Sequence, residues 1–199
     1  MVDFFLAVSA YFIGCIPSAY LFGRLFARRD IRDIGSGNVG AVNTMRHIGR
    51  LPGLLTLFAD VAKSAFIVWL SVRLGTLFFL PVLSATLAIL GHNYNLFLKC
   101  RGGKGLACLV GALLVLCPLN ILILFGFIGL LGLVIRGAYA ATGIGIFALP
   151  VLLYIETKDI VLSLSSLPAC LLIFSRHMND FKTYIDKHRG QRKNAESKP

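Results

Sequence analysis

Long apolar runs alternate with short polar segments along the whole chain. The runs fall at about 4–26, 51–72, 76–98, 105–135, 138–155 and 160–175. A helix that crosses about 30 Å of hydrocarbon needs roughly 20 residues, so most of these runs have the length of one membrane crossing. The pattern therefore predicts an all-α protein that crosses a bilayer several times.

The run at 105–135 is too long for one crossing. As a single helix it would extend about 46 Å, at about 1.5 Å per residue. Pro118 lies near its middle and lacks the backbone N–H that a helix interior needs. We therefore predict two shorter helices, at about 105–117 and 119–135, and seven transmembrane helices in all, some of them short.

Basic residues are concentrated in three polar segments. They occur in the loop 27–50, in the segment 99–104 and in the tail that begins at Arg176. An excess of Lys and Arg marks the cytoplasmic side of a membrane protein. The second and third segments can lie on the same side only if an even number of crossings separates them. Counting the run at 105–135 as two helices, divided at Pro118, gives that even number. The predicted N-terminus is outside, the C-terminus is cytoplasmic, and the basic segments meet on one membrane face, where they can form a site.

Composition supports a membrane protein and argues against other classes. Hydrophobic residues make up 57% of the chain, and 20 Lys and Arg outnumber 9 Asp and Glu. Because the basic residues flank apolar runs, they indicate membrane topology rather than nucleic-acid binding. The five cysteines show no metal-ligand spacing, and no basic residue precedes the run at 4–26, which is predicted to be retained as a helix. We predict one integral membrane domain at 1–185 and a basic, disordered cytoplasmic tail at 186–199.

The first of two glycine-rich basic segments begins at Gly35 and continues to Arg46. Closely spaced glycines allow several backbone N–H groups to point at one anion. Serine and asparagine side chains add neutral donors, and arginine supplies a fork of donors that matches phosphate or carboxylate. The candidate ligands are Ser36, Gly37, Asn38, Gly40, Asn43 and Arg46. The alternative interpretation is a flexible juxtamembrane turn whose arginines only set topology.

The second glycine-rich segment runs from Arg101 to Gly105. Lys104 is followed by Gly105, whereas a nucleotide-binding P-loop has Ser or Thr there to hold magnesium, which argues against a nucleoside triphosphatase. The segment still places an ammonium group beside a predicted helix start, where anions are favoured. A short basic turn is the alternative. His92 lies towards the cytoplasmic end of the preceding helix.

Asp60 and Lys63 lie three residues apart in the second predicted helix. This spacing puts them on one helix face, where they can neutralise each other within the membrane. We interpret the pair as mainly structural, bracing the first glycine loop.

Together the motifs resemble those of the bacterial acylphosphate-dependent glycerol-3-phosphate acyltransferases, the PlsY family. The matching residues, in order along nearly the whole chain, are Gly35 to Ala41 with Asn43 and Arg46, Gly91-His92, Gly102-Gly103-Lys104-Gly105, and Arg176-His177. The resemblance implies transfer of a fatty acyl group from acyl phosphate to the sn-1 hydroxyl of glycerol 3-phosphate, giving lysophosphatidate. It implies a multi-pass protein of the bacterial inner membrane with its active site facing the cytoplasm. The bilayer and the two substrates are the expected partners, and no metal, cofactor, nucleic acid or obligate protein partner is expected.

The resemblance also implies roles for individual residues. The expected catalytic residues are Ser36, Arg46, Lys104 and His177. The expected substrate-binding residues are Gly37, Asn38, Gly40, Asn43, His92, Gly102, Gly103 and Thr142. Direct attack by the substrate hydroxyl is expected, and His177, His92 and the donor phosphate all stay open as the base.

Three residues depart from the family pattern. Val42 stands where the family usually has Thr, Asn95 where it usually has Pro, and Asp180 where it usually has Asn. A carboxylate at position 180 can repel a substrate phosphate unless a neighbouring cation compensates. A family member with an altered acceptor or without activity is therefore one alternative, and a membrane transporter or binding protein for anions is another.

Overall fold

The computed structural model describes the backbone of residues 1–196 and the side chains of residues 1–186. Within this part of the chain the regular structure is helical. The α-helices are α1 (Val2–Gly14), α2 (Ser18–Ala27), α3 (Ala41–His47), α4 (Arg50–Leu74), α5 (Leu80–Asn93), α6 (Leu106–Leu116), α7 (Pro118–Ile135), α8 (Ala138–Gly145), α9 (Leu149–Thr157), α10 (Ile160–Leu164) and α11 (Leu167–Glu196). Short 3-10 helices occupy Ile31–Asp33, Leu96–Leu98 and Ile146–Ala148.

Five helical segments of the described chain are long and apolar enough to cross a bilayer. They are Val2–Ala27, Arg50–Leu74, Pro118–Ile135, Ala138–Thr157 and Ile160–Asp186. Helices α5 and α6, which the sequence pattern also predicts as crossings, are shorter. The all-helical membrane architecture is thus confirmed, whereas the number of seven crossings and their orientation stay predictions.

Proline residues divide the apolar runs. Cys117, with φ −153° and ψ 71°, separates α6 from α7, and α7 begins at Pro118 as predicted. The run at 4–26, however, forms two helices rather than one, because α1 ends before Pro17 and α2 begins after it. Proline lacks a backbone donor, and its ring disfavours helical geometry in the preceding residue.

The outer surface of the bundle is apolar. On α7, Leu122, Leu133 and Val134 are 73%, 78% and 73% exposed. Large apolar side chains at this exposure are costly in water and suit contact with lipid tails.

Close helix contacts hold α5 beside α1, and α6 beside α4. A Cβ atom at Gly91 of α5 would overlap the carbonyl oxygen of Tyr11 in α1, and one at Gly111 of α6 would overlap the carbonyl oxygen of Val61 in α4. Small residues at such crossings let membrane helices approach closely. These contacts hold the C-terminal end of α5 against α1 and the middle of α6 against α4.

Helix α11 continues to Glu196. The predicted tail at 186–199 lies almost entirely outside the described side chains, so its disorder and the boundary at residue 185 stay predictions.

Candidate active site

The buried side chain of Asn43 organises the first glycine loop. Its Nδ2 donates to the carbonyl oxygens of Ile34 and Asn38, at 3.0 Å and 3.1 Å, and its Oδ1 accepts from the backbone N–H of Ser36 at 3.2 Å. Nδ2 also lies 3.3 Å from the carbonyl oxygen of Ile31. Asn43 therefore holds the loop in one conformation, which argues against a merely flexible turn.

The backbone N–H groups of this loop are used inside the loop. The N–H of Gly37 donates to the carbonyl oxygen of Ile34, and that of Gly40 donates to the carbonyl oxygen of Asn38, each at 3.0 Å. Together with the Ser36 N–H, which Asn43 binds, most of the expected donors already have acceptors. The expectation that these N–H groups converge on an anion is therefore wrong, and the side-chain amide of Asn43 is also used inside the loop.

An ion pair fixes the entry to the first loop. The Asp30 carboxylate accepts from Nη2 of Arg32 at 2.6 Å and lies 3.6 Å from Nη2 of Arg24. The hydrogen bonds from Arg32 hold the pKa of the Asp30 carboxyl below its ordinary value. Asp30 thus stays charged near neutral pH and keeps the loop next to the end of α2.

The second glycine segment is clamped between α5 and α11. The N–H of Gly103 donates to the carbonyl oxygen of His92 at 3.1 Å. From α11, the Arg176 guanidinium donates to the carbonyl oxygens of Gly103 and Gly102, at 3.0 Å and 2.9 Å. A Cβ at Gly102 would overlap the backbone of His92, and one at Gly103 would overlap its ring. These glycines are needed for close backbone approach.

A cavity of about 370 Å³ lies where these segments meet. It contains most of the residues that the sequence motifs single out. The predicted site residues that line it are Ser36, Asn38, Gly40, Asn43, Arg46, His92, Lys104 and His177. The remaining predicted residues, Gly37, Gly102, Gly103 and Thr142, do not line it.

Helix α8 turns Tyr139, rather than Thr142, towards the cavity. The Thr142 hydroxyl donates to the carbonyl oxygen of Ala138 at 2.8 Å, inside its own helix. The ring of Tyr139 lies 4.5 Å from Nζ of Lys104, a distance at which an ammonium group is attracted to an aromatic face. Sequence reasoning missed Tyr139, since nothing marks it except its position three residues before Thr142.

Lys104 also forms an ion pair with Asp180, inside the same cavity. Asp180, which stands where the family usually has Asn, is thus paired with the lysine of the second glycine-rich segment. Arg46, by contrast, is exposed at the cavity and has no carboxylate partner among the described side chains.

His177 is only 1% exposed, and one of its two ring nitrogens can accept a hydrogen bond. Its Nδ1 lies 2.9 Å from the carbonyl oxygen of Ile173. A carbonyl oxygen can only accept, so Nδ1 carries a proton, and Nε2 of the neutral ring has a free lone pair. In the described part of the chain this Nε2 is buried without a hydrogen-bond partner.

Asp60 and His92, which line the cavity, form a buried cluster with Lys63, which does not. Nζ of Lys63 lies 2.7 Å from Oδ1 of Asp60, which confirms the predicted pair. It also lies 3.1 Å from Nδ1 of His92. The contact with His92 joins α4 to α5, and sequence reasoning missed it because the two residues lie 29 positions apart.

The fold and the cavity define a class of protein: a multi-pass helical membrane protein with a cavity rich in basic and histidine side chains at one end of its bundle. The family model described as glycerol-3-phosphate acyltransferase matches residues 4–187. The chain belongs to this family.

Similar proteins are found among both sequences and structures. The glycerol-3-phosphate acyltransferase of Syntrophotalea carbinolica is 35% identical, over 94% of this chain and 96% of its own. Glycerol-3-phosphate acyltransferase 2 of Moorella thermoacetica is 45% identical, over 68% of this chain and 69% of its own. The crystal structure of PlsY in its glycerol 3-phosphate form has a TM-score of 0.83 at 26% identity and covers 94% of both chains. The lysophosphatidic acid form, at 24% identity and a TM-score of 0.81, shares the fold.

Proposed function

We propose that this protein is an acyltransferase that moves a fatty acyl group from acyl phosphate to the sn-1 hydroxyl of glycerol 3-phosphate. The observation that carries the proposal is the cavity in which Arg46, Lys104 and His177 converge, at one end of an apolar bundle. Both substrates carry phosphate, and the donor also carries a lipid tail. A basic cavity beside lipid suits both. Membership of the glycerol-3-phosphate acyltransferase family supports the same acceptor.

The chemistry needs no acyl-enzyme intermediate. The sn-1 oxygen attacks the acyl carbonyl carbon, and a new ester bond forms. The bond between that carbon and the phosphate oxygen breaks, and phosphate leaves with the electron pair. The hydroxyl proton passes to a base, so the products are lysophosphatidate and inorganic phosphate. Phosphate is already a good leaving group, so the protein contributes mainly positioning and charge stabilisation.

The cavity side chains can divide this work. Lys104 and Arg46 would neutralise the phosphate groups, since an ammonium and a guanidinium both favour that charge. Ser36 would add a neutral hydrogen bond. His177, through its unpartnered Nε2, would accept the hydroxyl proton directly or hold the hydroxyl for transfer to the donor phosphate.

The experiment is a reaction of the purified protein in lipid nanodiscs with acyl phosphate and radiolabelled glycerol 3-phosphate. Lysophosphatidate and inorganic phosphate are expected in a one-to-one ratio. The matched control supplies acyl coenzyme A instead of acyl phosphate and should give little product. Uptake of glycerol 3-phosphate into protein-loaded liposomes, without any product, would replace the enzyme proposal with a transporter.

The proposal includes a location. The basic segments that meet at the cavity are those expected on the cytoplasmic side. We therefore propose seven crossings of a bacterial inner membrane, with α5 and α6 as short crossings, the N-terminus outside and the cavity open to the cytoplasm.

A further inference from the structure

Asp60 and Lys63, which form a buried cluster with His92, have no part in the reaction proposed above. Asp60, Lys63 and His92 are 2%, 7% and 7% exposed. They lie on α4 and α5, and Asp60 and His92 line the cavity whereas Lys63 does not. Burying a charged pair is costly, and a helix brace could be made from apolar side chains instead. Because the pair lies against His92, which lines the cavity, it can determine which nitrogen of His92 carries the proton.

Three polar atoms lie close to Nζ of Lys63 in the buried cluster. Nζ lies 2.7 Å from Oδ1 of Asp60, 2.9 Å from the carbonyl oxygen of Ile16 and 3.1 Å from Nδ1 of His92. An ammonium group has donors and no lone pair, and it lies closer to Nδ1 of His92 than Oδ1 of Asp60 does, at 3.1 Å against 3.6 Å. Nδ1 of His92 is therefore the acceptor in its contact with Lys63. A neutral His92 then carries its proton on Nε2.

The protonated nitrogen lies beside the second glycine loop. The Nε2 edge of the ring abuts Gly103, so closely that a Cβ there would overlap it, and Lys104 is the next residue. His92 also lines the cavity. Its Nε2 edge thus lies against the backbone next to Lys104, and both side chains line the same cavity.

We propose that Lys63 is a positioning residue that holds His92 as a hydrogen-bond donor to a phosphate oxygen of the bound substrate, and so removes His92 from the candidates for the base. The two cavity histidines then have opposite roles. His92 receives a hydrogen bond at Nδ1 and would donate to the phosphate from Nε2, whereas His177 donates from Nδ1 and keeps a free lone pair on Nε2. The identity of the phosphate rests on the proposed function, but the protonation state of His92 does not.

The first test reads the His92 tautomer directly. In protein labelled with ¹⁵N-histidine in nanodiscs, the His92 signals are assigned by their loss in His92→Gln. We expect an unprotonated Nδ1 and a protonated Nε2. In Lys63→Met, Nδ1 loses its donor and should become protonated towards Asp60. A protonated Nδ1 in the unaltered protein would overturn the proposal. This outcome depends neither on the folding of Lys63→Met nor on the detection of acyl transfer.

The matched control for Lys63→Met is Ser64→Ala. Ser64 is also buried, on the next position of α4, and it does not line the cavity. We expect Ser64→Ala to leave the His92 signals in place and Lys63→Met to lower kcat/KM by about tenfold or more, the scale of a weakened preorganised donor. Unchanged His92 signals in folded Lys63→Met would count against the positioning role.

A second test separates a donor from a base. Glutamine at position 92 places an amide N–H near the position of Nε2, whereas leucine places no donor there. We expect His92→Gln to retain several-fold more kcat/KM than His92→Leu. Equal loss in both variants would mean that the N–H is not what His92 contributes.

Discussion

At the scale of single residues, the cavity already contains a carboxylate paired with its main cation. Lys104 and Asp180 are 22% and 28% exposed, so water screens their ion pair only in part. A phosphate group that binds Lys104 has to compete with Asp180. The family pattern, with Asn at this position, would offer a hydrogen-bonding side chain without that competition.

Asp180→Asn is therefore expected to lower the KM for glycerol 3-phosphate about threefold to tenfold, which corresponds to about 0.7 to 1.4 kcal/mol of binding. The measurement is a steady-state titration of glycerol 3-phosphate at saturating acyl phosphate. Asp33→Asn serves as the control, since Asp33 is an exposed acid outside the cavity. A higher KM, or a collapse of kcat, would show that the Asp180 carboxylate assists the reaction.

Lys104→Ala and Arg46→Ala are each expected to lower turnover by more than tenfold, or about 1.4 kcal/mol of transition-state stabilisation. Both remove a positive charge from the cavity in which phosphate charge develops. Lys99→Ala removes a charge from the same polar segment outside the cavity and should keep turnover close to that of the unaltered protein. Comparable losses in all three variants would point to a general effect of surface charge.

At the scale of structural elements, the second glycine-rich segment leads into α6 and packs directly against His92 at the end of α5. Gly103→Ala would push the loop away from the His92 ring and move Lys104 with it. We expect at least about a tenfold loss of kcat/KM, because small displacements of positioning groups are costly in catalysis. The readout is kcat/KM together with the thermal midpoint.

Gly129→Ala is the control for that substitution. Gly129 lies in α7, and among the described residues no atom beyond its own helix backbone comes within 4 Å of an added Cβ, so alanine fits there and favours the helix. Full activity is expected from Gly129→Ala. If Gly103→Ala were equally active, the close contact with His92 would have no catalytic importance.

The elements also mark the limit of prediction from sequence. Periodicity and Pro118 were sufficient for the helices on either side of that proline, because local backbone chemistry decides such a break. The N–H groups of the first loop were assigned wrongly, since the acceptor that Asn43 provides depends on how α3 folds back on the loop. The contact of Lys63 with His92 was missed because it arises only when α4 packs against α5.

At the scale of the whole molecule, the positions of basic residues along the chain were enough to predict which segments meet. The loop after α2, the segment before α6 and the middle of α11 all reach the same cavity. Sequence could predict this because bilayer crossing and the positive-inside rule restrict which loops share a face. The same rule predicts which side of the membrane the cavity faces.

Cys100 provides a test of that orientation in the natural chain. It is exposed and lies in the basic segment before Lys104, whereas Cys15, Cys108 and Cys117 are buried. A membrane-impermeant maleimide should label Cys100 in inside-out vesicles and leave it unlabelled in intact spheroplasts, since the reagent reaches only one face of the membrane. Cys100→Ser controls for labelling at other cysteines. Strong labelling of Cys100 in intact spheroplasts would place the cavity on the external face, where cytoplasmic glycerol 3-phosphate could not reach it directly, and would invert the predicted topology.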